Sequence, residues 1–346
     1  MTNRKNMFDV VTFGSATRDI FVRSKDFKII ESLDFVTGKG LAINAGSKVY
    51  VDELIFASGG GGTNTAATFT SQGLKVAYVG LVGNDSSGKE VVAELKKLGV
   101  IYDFIKDTDG ADTPVSIILS APKRERSILV YEGASHLLTK EDILWEKIKS
   151  AKWFYISGLS GESSKVFPEI INFAKPQRKT SGFLRGKENN IKLAVNPGHD
   201  QLTKDLNLLK SLLNKIDILI VNQEEASIIT GIDYQNEEKL FKKLDELVDG
   251  IVVMSKGPDG VAVSDGKVIY RAGIPNSGYV DRTGSGDAFG SGFVSAIMQG
   301  KSIELAIQFG TANATSVVQK IGAKNGILKK GEWGEWERVG VTKTPI

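Results

Sequence analysis

Short apolar runs rich in β-branched residues alternate along this chain with segments of helical periodicity, and this alternation constrains the fold more than any other feature. It is typical of a sheet whose two faces are covered by helices. The runs are hydrophobic almost throughout, so both faces of the strands are expected to be buried, as in a mostly parallel sheet. The predicted strands are Asp9–Gly14, Lys75–Gly83, Lys152–Ser157, Lys192–Asn196, Asp217–Asn222 and Ile251–Gly257. The sequence therefore predicts an α/β fold with a mostly parallel central sheet.

Helices are predicted where apolar residues recur with helical spacing, at Ser86–Gly99, Thr139–Ser150 and Asn236–Gly250. Two regions, Ile20–Ser58 and Val115–Glu132, do not fit this rhythm. The second of them places two apolar runs on either side of a polar turn, which is the pattern of a hairpin. We expect both regions to form β-structure set apart from the main sheet, as a small lid.

Composition excludes several classes of function. The chain has 346 residues, and its 44 Lys and Arg against 41 Asp and Glu give a net charge of +3 without a basic block, so nucleic acid is not an expected partner. The absence of cysteine excludes disulfides, thiol nucleophiles and Cys-ligated metals, and two histidines, His136 and His199, are too few for a multi-histidine metal site. No stretch approaches the length of a membrane span, and the protein is expected to be cytoplasmic.

The stretch VDRTGSGDAFGSGF (Val280–Phe293) places glycines and a carboxylate at the start of an apolar helical run. Glycine costs about 1 kcal/mol relative to alanine inside a helix, so its presence here needs a backbone or a ligand reason. The first turn of a helix carries unpaired N–H donors, and Gly284 and Gly286 let those donors point into a concave loop that suits a phosphoryl group. Asp287 lies in the same turn and can accept the proton of an alcohol. A capping role would explain the carboxylate but not the glycines, and the combination indicates phosphoryl transfer to a hydroxyl.

A second glycine motif, SGGGGTNTAATF (Ser58–Phe69), leads into a helix of small residues with Asn64 near its start. Taken alone, it fits a ligand loop and a capped turn about equally well. Two nucleotide-binding motifs are excluded. GNDSSGKE (Gly83–Glu90) lacks the Ser or Thr that a P-loop needs for Mg²⁺, and FGSATRD after the first strand supplies one glycine where a dinucleotide fingerprint needs three.

With these motifs the chain resembles the PfkB, or ribokinase-like, family of carbohydrate kinases. DRTGSGDAF is similar to the family's C-terminal signature D-T-x-G-A-G-D, and GGGGTN is similar to its N-terminal signature G-G-x-x-x-N. GLVGNDSSGKEVVAELKKLGV, NQEEA and SKGPDG match further family segments in the same order, so the resemblance extends from about Asp9 to about Ile327. It implies a single three-layer α/β/α domain over residues 1–346 with a small β lid at about 20–58 and 115–132. It also implies ATP-dependent phosphorylation of a hydroxymethyl group and a homodimer formed through the lid.

The resemblance further implies roles for individual residues. Asp287 would be the catalytic base, with Gly284, Ser285 and Gly286 as the anion hole. The sugar hydroxyls would be held by Asp19, Gly60, Gly61 and Asn64. The nucleotide side would comprise Asn222, Glu225, Ser255, Gly257, Gly260 and Asn313, where Asn222 and Glu225 organise Mg²⁺ and its waters. Asp281 and Thr283 match a loop that binds K⁺ in some members. Arg282 replaces a small hydroxyl residue of the signature, and Gly61 replaces a lysine of ribokinase, so the cation site and ribose as substrate do not follow from the resemblance.

Two alternatives to a sugar kinase remain at this stage. Adenosine kinases share both signatures, so the acceptor could be a nucleoside. A catalytically silent member would bind sugar or nucleotide as a regulator, although binding alone does not need a base at Asp287. Arg124 and Arg126, in the polar turn of the second lid region, could face a substrate phosphate or be solvated.

Overall fold

The computed structural model describes residues 8–35, 38–121, 126–176 and 191–346. Its strands are β1 Val10–Phe13, β2 Thr17–Arg23, β3 Lys28–Glu31, β4 Lys39–Ala42, β5 Glu53–Gly59, β6 Val76–Gly83, β7 Ile105–Thr108, β8 Val115–Ser120, β9 Arg126–Tyr131, β10 Trp153–Ile156, β11 Lys192–Val195, β12 Ile218–Asn222, β13 Ile251–Ser255, β14 Val261–Ser264, β15 Val268–Ala272 and β16 Thr342–Pro345. Its helices are α1 Gly61–Ser71, α2 Ser86–Leu98, α3 Trp145–Ile148, α4 Phe167–Ala174, α5 His199–Thr203, α6 Leu206–Leu212, α7 Gln223–Thr230, α8 Glu237–Asp245, α9 Ser285–Met298 and α10 Ile303–Val318.

The main sheet has ten strands in the order β16-β15-β14-β13-β12-β11-β10-β1-β6-β7. Pairing is parallel from β7 to β13 and antiparallel from β13 to β16. The six predicted strands are β1, β6, β10, β11, β12 and β13, so the prediction of a mostly parallel central sheet is confirmed. The antiparallel edge had not been predicted, because its short strands lie between Gly- and Asp-rich turns and have no clear periodicity.

Helices cover both faces of the main sheet. On one face, apolar side chains of the strands pack with residues such as Ile170 of α4 and Phe241 of α8. On the other face they pack with Phe69 of α1, Leu95 of α2 and Phe293 of α9. These two buried clusters confirm the three-layer α/β/α arrangement, and they hold α1 and α9 on the same side of the sheet.

One predicted helix, Thr139–Ser150, is wrong over most of its length. Both the N–H and the Oγ1 of Thr139 donate to Asp142 Oδ2, at 2.9 and 2.8 Å, and this closes a single 3₁₀ turn. Ile143 then returns to extended backbone, with φ −89° and ψ 123°, and only α3 follows. A local capping interaction therefore overrides the helical spacing of the apolar residues.

The lid is a separate four-stranded sheet in the order β5-β2-β8-β9. Strands β2 and β5 come from the first predicted lid region or directly before it, and β8 and β9 come from the second. Side chains alternate across this sheet, and Ile20 pairs with Phe56 and with Ile117 across neighbouring strands, so these residues share one face while Asp19 lies on the other. Within the described ranges, no helix is long and apolar enough to cross a membrane.

Candidate active site

The candidate site lies where the first turns of α1 and α9 meet, above the carboxyl ends of β1 and β10. Asn64 in α1 donates from Nδ2 to Asp287 Oδ2 in α9 at 2.8 Å, although the two residues are 223 positions apart. Both helices contact the same face of the central sheet. The two glycine motifs are therefore parts of one site, with the predicted base between them.

The Asp287 carboxyl is partly buried, and this burial raises its pKa above the ordinary value. Two favourable interactions act in the opposite direction. The Asn64 amide stabilises the carboxylate by a hydrogen bond, and the positive charge of Lys324 stabilises it over a longer range. Burial outweighs these two interactions, so the net pKa is raised and the carboxylate binds a proton more readily than a solvated aspartate does.

The loop before α9 has the backbone that only glycine adopts easily. Gly284 is the N-cap residue with φ +76°, and a Cβ there would lie 2.3 Å from the Ala323 Cβ. Gly286 has no neighbouring heavy atom within 4 Å of an added Cβ, so it leaves open space in front of the helix. The Ser285 N–H donates to the Arg282 carbonyl at 3.2 Å, within the turn. A helix leaves its other first N–H groups without intrahelical partners, so those donors face the open space.

Asp19 projects from β2 on the face of the lid that looks toward the central sheet. It is only 4% exposed, and Thr17 Oγ1 donates to its Oδ1 at 3.0 Å. Burial raises its pKa, while the Thr17 bond and the Lys324 charge lower it. Gly60 has φ +94°, and a Cβ there would lie 2.4 Å from the Ser15 carbonyl oxygen. The glycine motif is thus required for close packing of the backbone between lid and sheet.

Lys324 is a charged residue of this site that the sequence analysis did not identify. It is 9% exposed, and its Nζ donates to the carbonyl oxygen and the Oγ of Ser58, both at 2.8 Å. Burial lowers its pKa to about 8, and the charges of Glu94, Asp19 and Asp287 oppose that shift. No signal marked Lys324 because it lies in an irregular loop after α10, outside both glycine motifs.

A shallow cavity of about 130 Å³ adjoins the Gly284–Gly286 loop on the side away from the lid. Its lining includes Ser255, Gly257, Gly260, Ser285, Gly286, Thr311, Ala314 and Thr315. The predicted nucleotide residues of the β13 turn thus lie beside the predicted anion hole. Asn313 does not line this cavity, because it is fully buried between α9 and the following loop. Its Nδ2 donates to the Ala288 carbonyl at 2.8 Å, and its Oδ1 accepts from the Leu328 N–H at 2.9 Å.

Asn222 and Glu225 form a capping box at the start of α7. Asn222 Oδ1 accepts from the Glu225 N–H at 2.9 Å, and Glu225 Oε2 accepts from the Asn222 N–H at 2.8 Å. Burial raises the pKa of the Glu225 carboxyl. Asn222 pairs with Ser255 in the register of β12 and β13, so the box lies next to the cavity lined by Ser255. The Asn-x-x-Glu spacing is itself a capping signature that the sequence displays.

Asp281 and Thr283 contact the lid through Arg126. Arg126 Nη1 donates to Asp281 Oδ1 at 2.5 Å and to Thr283 Oγ1 at 3.0 Å, so Arg126 is ion-paired with this loop although its side chain is 33% exposed. Asp281 Oδ2 is buried without a hydrogen-bond partner among the described residues. Arg282 stacks on the Tyr279 ring, with 4.2 Å from its guanidinium carbon to the ring centroid. Arg124, the other arginine of the turn, lies outside the described residues.

A cavity of about 560 Å³ lies between the lid and this loop. Its lining includes Phe21, Arg23 and Arg126 from the lid, together with Asp281 and Arg282. Asp281 is close enough to Asp19 for its charge to raise the Asp19 pKa. The residues predicted to bind the sugar do not line this cavity, although Phe21 lies two positions from Asp19 on the same face of β2.

Comparison with known proteins identifies the family to which this fold and these motifs belong. The family model described as pfkB family carbohydrate kinase matches residues 7–330. The chain is 30% identical to ribokinase from Haemophilus influenzae over 80% of this chain and 86% of that protein. It is 27% identical to ATP-dependent 6-phosphofructokinase from Thermoanaerobacterium thermosaccharolyticum, covering 77% of this chain and 80% of that protein. The solved structure of Arabidopsis thaliana ribokinase complexed with ribose and ATP superposes with a TM-score of 0.72 at 23% identity, covering 93% of this chain and 96% of the other. The fold, the position of both glycine motifs and these matches together show that the chain belongs to the pfkB family of carbohydrate kinases, which are phosphotransferases with an alcohol group as acceptor.

Proposed function

We propose that this kinase transfers the γ-phosphoryl group of ATP to a hydroxymethyl group of a carbohydrate, with Asp287 as the general base. The observation that carries the proposal is the meeting of the Asp287 carboxylate, the Asn64 amide and the open first turn of α9 at one point. Asp287 takes the hydroxyl proton, and the acceptor oxygen forms a bond to the γ-phosphorus. The bond from that phosphorus to the bridging oxygen breaks, and ADP leaves.

The Gly284–Gly286 loop acts as the anion hole. Charge spreads over the γ-phosphoryl oxygens as the transfer proceeds, and N–H donors fixed at a helix N-terminus stabilise it without having to reorganise. The ADP moiety lies in the cavity bordered by Ser255, Gly257 and Gly260, which adjoins that loop. The acceptor lies on the opposite side, where Asp19, Gly60, Gly61 and Asn64 bind its hydroxyls.

Two cations fit the residues present. Mg²⁺ bound to ATP neutralises phosphate charge, and Glu225 would hold one of its waters through the carboxylate oxygen that the capping box leaves free. Among the described residues, no group of three or more acidic or histidine side chains could hold a metal ion, so the phosphates and waters must supply most Mg²⁺ ligands. A monovalent cation such as K⁺ would bind the unpartnered Oδ2 of Asp281, next to the Arg126 guanidinium that already bonds Asp281 Oδ1 and Thr283 Oγ1. Turnover measured with and without K⁺ at constant ionic strength tests the second assignment.

The function is tested by ADP release across a panel of free sugars, sugar phosphates and nucleosides, in the presence of ATP and Mg²⁺. We expect turnover of at least one carbohydrate. Turnover of nucleosides and of no carbohydrate would show that the protein is a nucleoside kinase and would refute the proposal. Binding of sugar or ATP in calorimetry without ADP release on any acceptor would indicate a silent regulator.

We also propose that the protein forms a homodimer through the outer face of the lid. Leu54, Phe56 and Leu129 lie on this face and are 51%, 53% and 55% exposed. Apolar side chains grouped in this way tend to be buried against a partner, and a second copy of the same face is self-complementary. Light scattering at micromolar concentration should give the mass of a dimer, and Phe56→Glu should give that of a monomer. A wild-type monomer would contradict the proposal.

A further inference from the structure

Ser157 carries a buried hydroxyl at the carboxyl end of β10 that has no role in the proposed mechanism. The residue is 4% exposed, and its Oγ has no hydrogen-bond partner among the described residues. Buried side-chain polar atoms are hydrogen-bonded in the large majority of cases, so this hydroxyl needs an explanation. One explanation is a ligand that completes its hydrogen bonding.

The position of Ser157 favours that explanation. A Cβ added to Gly61 would lie 3.0 Å from Ser157 Oγ and 3.5 Å from Asp287 Oδ1. The same added Cβ would lie 2.8 Å from Ser157 Cβ, so the Ser157 side chain packs directly against the Gly61 backbone, with its hydroxyl near the Asp287 oxygen that Asn64 does not bind. The oxygen of the neighbouring amide, Asn64 Oδ1, is also buried without a partner among the described residues. Two buried polar atoms without a partner, Ser157 Oγ and Asn64 Oδ1, thus belong to side chains that lie next to the Asp287 carboxylate.

Other unpartnered hydroxyls show what distinguishes Ser157. Thr12 Oγ1 is equally buried and equally without a partner in the described chain. Thr12 pairs with Tyr155 in the register of β1 and β10, so it lies two residues deeper in the sheet than Ser157. Unlike Ser157, it is not among the side chains nearest to Gly61. Thr12 is therefore a matched control with the same chemistry and burial.

We propose that Ser157 is a substrate-contacting residue that binds a hydroxyl of the acceptor sugar adjacent to the one that Asp287 deprotonates. This inference rests on the proposed function and deepens it. A serine hydroxyl both donates and accepts, so it can bind one hydroxyl of a diol while the Asp287 carboxylate binds the other. The site then selects acceptors that carry a second hydroxyl close to the reacting one, and it disfavours the corresponding deoxy sugar.

The test compares wild type, Ser157→Ala and Thr12→Val with the panel sugar of highest kcat/KM. Loss of one hydrogen bond between neutral groups should raise the KM for that sugar about 3- to 10-fold in Ser157→Ala. The KM for ATP and the melting temperature should stay at wild-type values, and kcat should stay within about threefold of wild type. Thr12→Val should leave the KM for the sugar unchanged. An unchanged KM in Ser157→Ala, or an equal rise in Thr12→Val, would overturn the proposal.

Monodeoxy analogues of the same sugar identify the contact directly. The Ser157→Ala penalty should vanish for one analogue, namely the one that lacks the hydroxyl bound by Ser157, and persist for the others. A penalty of the same size with every analogue would show a general structural effect and contradict the contact. If wild type phosphorylates no acceptor, the proposed function fails, and calorimetric titration of D-ribose and D-fructose still tests the inference. Indistinguishable titrations of wild type and Ser157→Ala would then reject it.

Discussion

Asp287→Asn removes the proton acceptor of the proposed reaction and changes little else around it. The Asn64 amide donates to Asp287 Oδ2 at 2.8 Å, and an asparagine at position 287 still presents an oxygen to that amide. The substitution keeps the size of the side chain and its place in the first turn of α9. The N-cap of α9 is Gly284, so the substitution does not alter the cap. The variant therefore isolates the base.

The expected loss of kcat is about 10²- to 10⁴-fold, the usual contribution of a positioned general base. This corresponds to about 3–5 kcal/mol on the barrier to phosphoryl transfer. Stability should change much less. The carboxylate loses a favourable helix-dipole interaction of about 0.3–1 kcal/mol, but its raised pKa shows that the folded state disfavours the charged form, and a neutral amide avoids that cost. The melting temperature should therefore stay near the wild-type value or rise slightly.

Nucleotide binding separates this reasoning from a simple capping role. The proposed phosphate donors are backbone N–H groups that the substitution leaves in place, and the loss of a negative charge near the γ-phosphate favours ATP. We expect the Kd for ATP to be equal to or lower than that of wild type, together with the large fall in kcat. Asp245→Asn serves as a control, because burial raises the pKa of that carboxyl too and its partner is Ser264.

The assay is ADP release on the best acceptor, with calorimetric Kd values and melting temperatures from the same preparations. Turnover of Asp287→Asn within about threefold of wild type would refute the assignment of Asp287 as the base. A fall in kcat accompanied by a lost transition in the melting curve would instead mean that the side chain is needed for folding. The Asp245→Asn control should keep wild-type kcat.

Three further predictions concern the surroundings of the base. Gly284→Ala forces a side chain into a left-handed backbone that is already crowded, so calorimetric melting should show a loss of about 1–3 kcal/mol. Gly286→Ala adds a side chain in open space within α9, so it should melt at or slightly above the wild-type temperature but raise the KM for ATP. Arg126→Gln breaks the ion pair with Asp281, which connects the lid to the loop before α9, and it should raise the KM for the acceptor. The melting temperature should move by at most about 2 °C, because a partly exposed ion pair contributes about 0.2–1 kcal/mol. An unchanged KM would show that the ion pair does not hold the lid over the acceptor. Lys324→Met removes a charge that lowers the pKa of the base, so the acidic limb of the kcat/KM profile should move to higher pH. Burial lowers the pKa of Lys324 from 10.5 to about 8, so between these two pH values the folded protein has lost the Lys324 proton while the unfolded chain still binds it. The unfolding free energy of wild type, relative to that of Lys324→Met, should therefore increase as the pH rises from about 8 to 10.5.

Several features of the site could be predicted from the sequence because their causes are local. Gly284 needs a left-handed backbone, and Asp287 follows it in the same helical turn, so one short stretch specifies both the open loop and the carboxylate. The periodicity of the buried strands is equally local, and it predicted the parallel part of the sheet correctly. The capping box of Asn222 and Glu225 was readable from its spacing as well.

Other features depend on residues far apart in the chain, and only the tertiary structure decided them. Asn313 matches a nucleotide-side position by motif, yet the packing of α10 on α9 buries its amide against Ala288. Arg126 looked like a turn residue until the lid placed it on Asp281, 155 positions away.

Lys324 and Ser157 illustrate the same limit within the site itself. Nothing near either residue in the sequence marks it, because what matters is the environment that distant segments supply. Ser58 accepts both hydrogen bonds of the Lys324 ammonium, and the bare backbone of Gly61 lets Ser157 pack close to Asp287. The sequence by itself determined the parallel strands and the two glycine loops, and it marked Asp287 as the candidate base, since backbone conformation and helix termini follow from neighbouring residues. Burial, charge and unsatisfied hydrogen bonds are properties of three-dimensional neighbourhoods, so the burial of Lys324 and Ser157 beside Asp287 was decided by the fold.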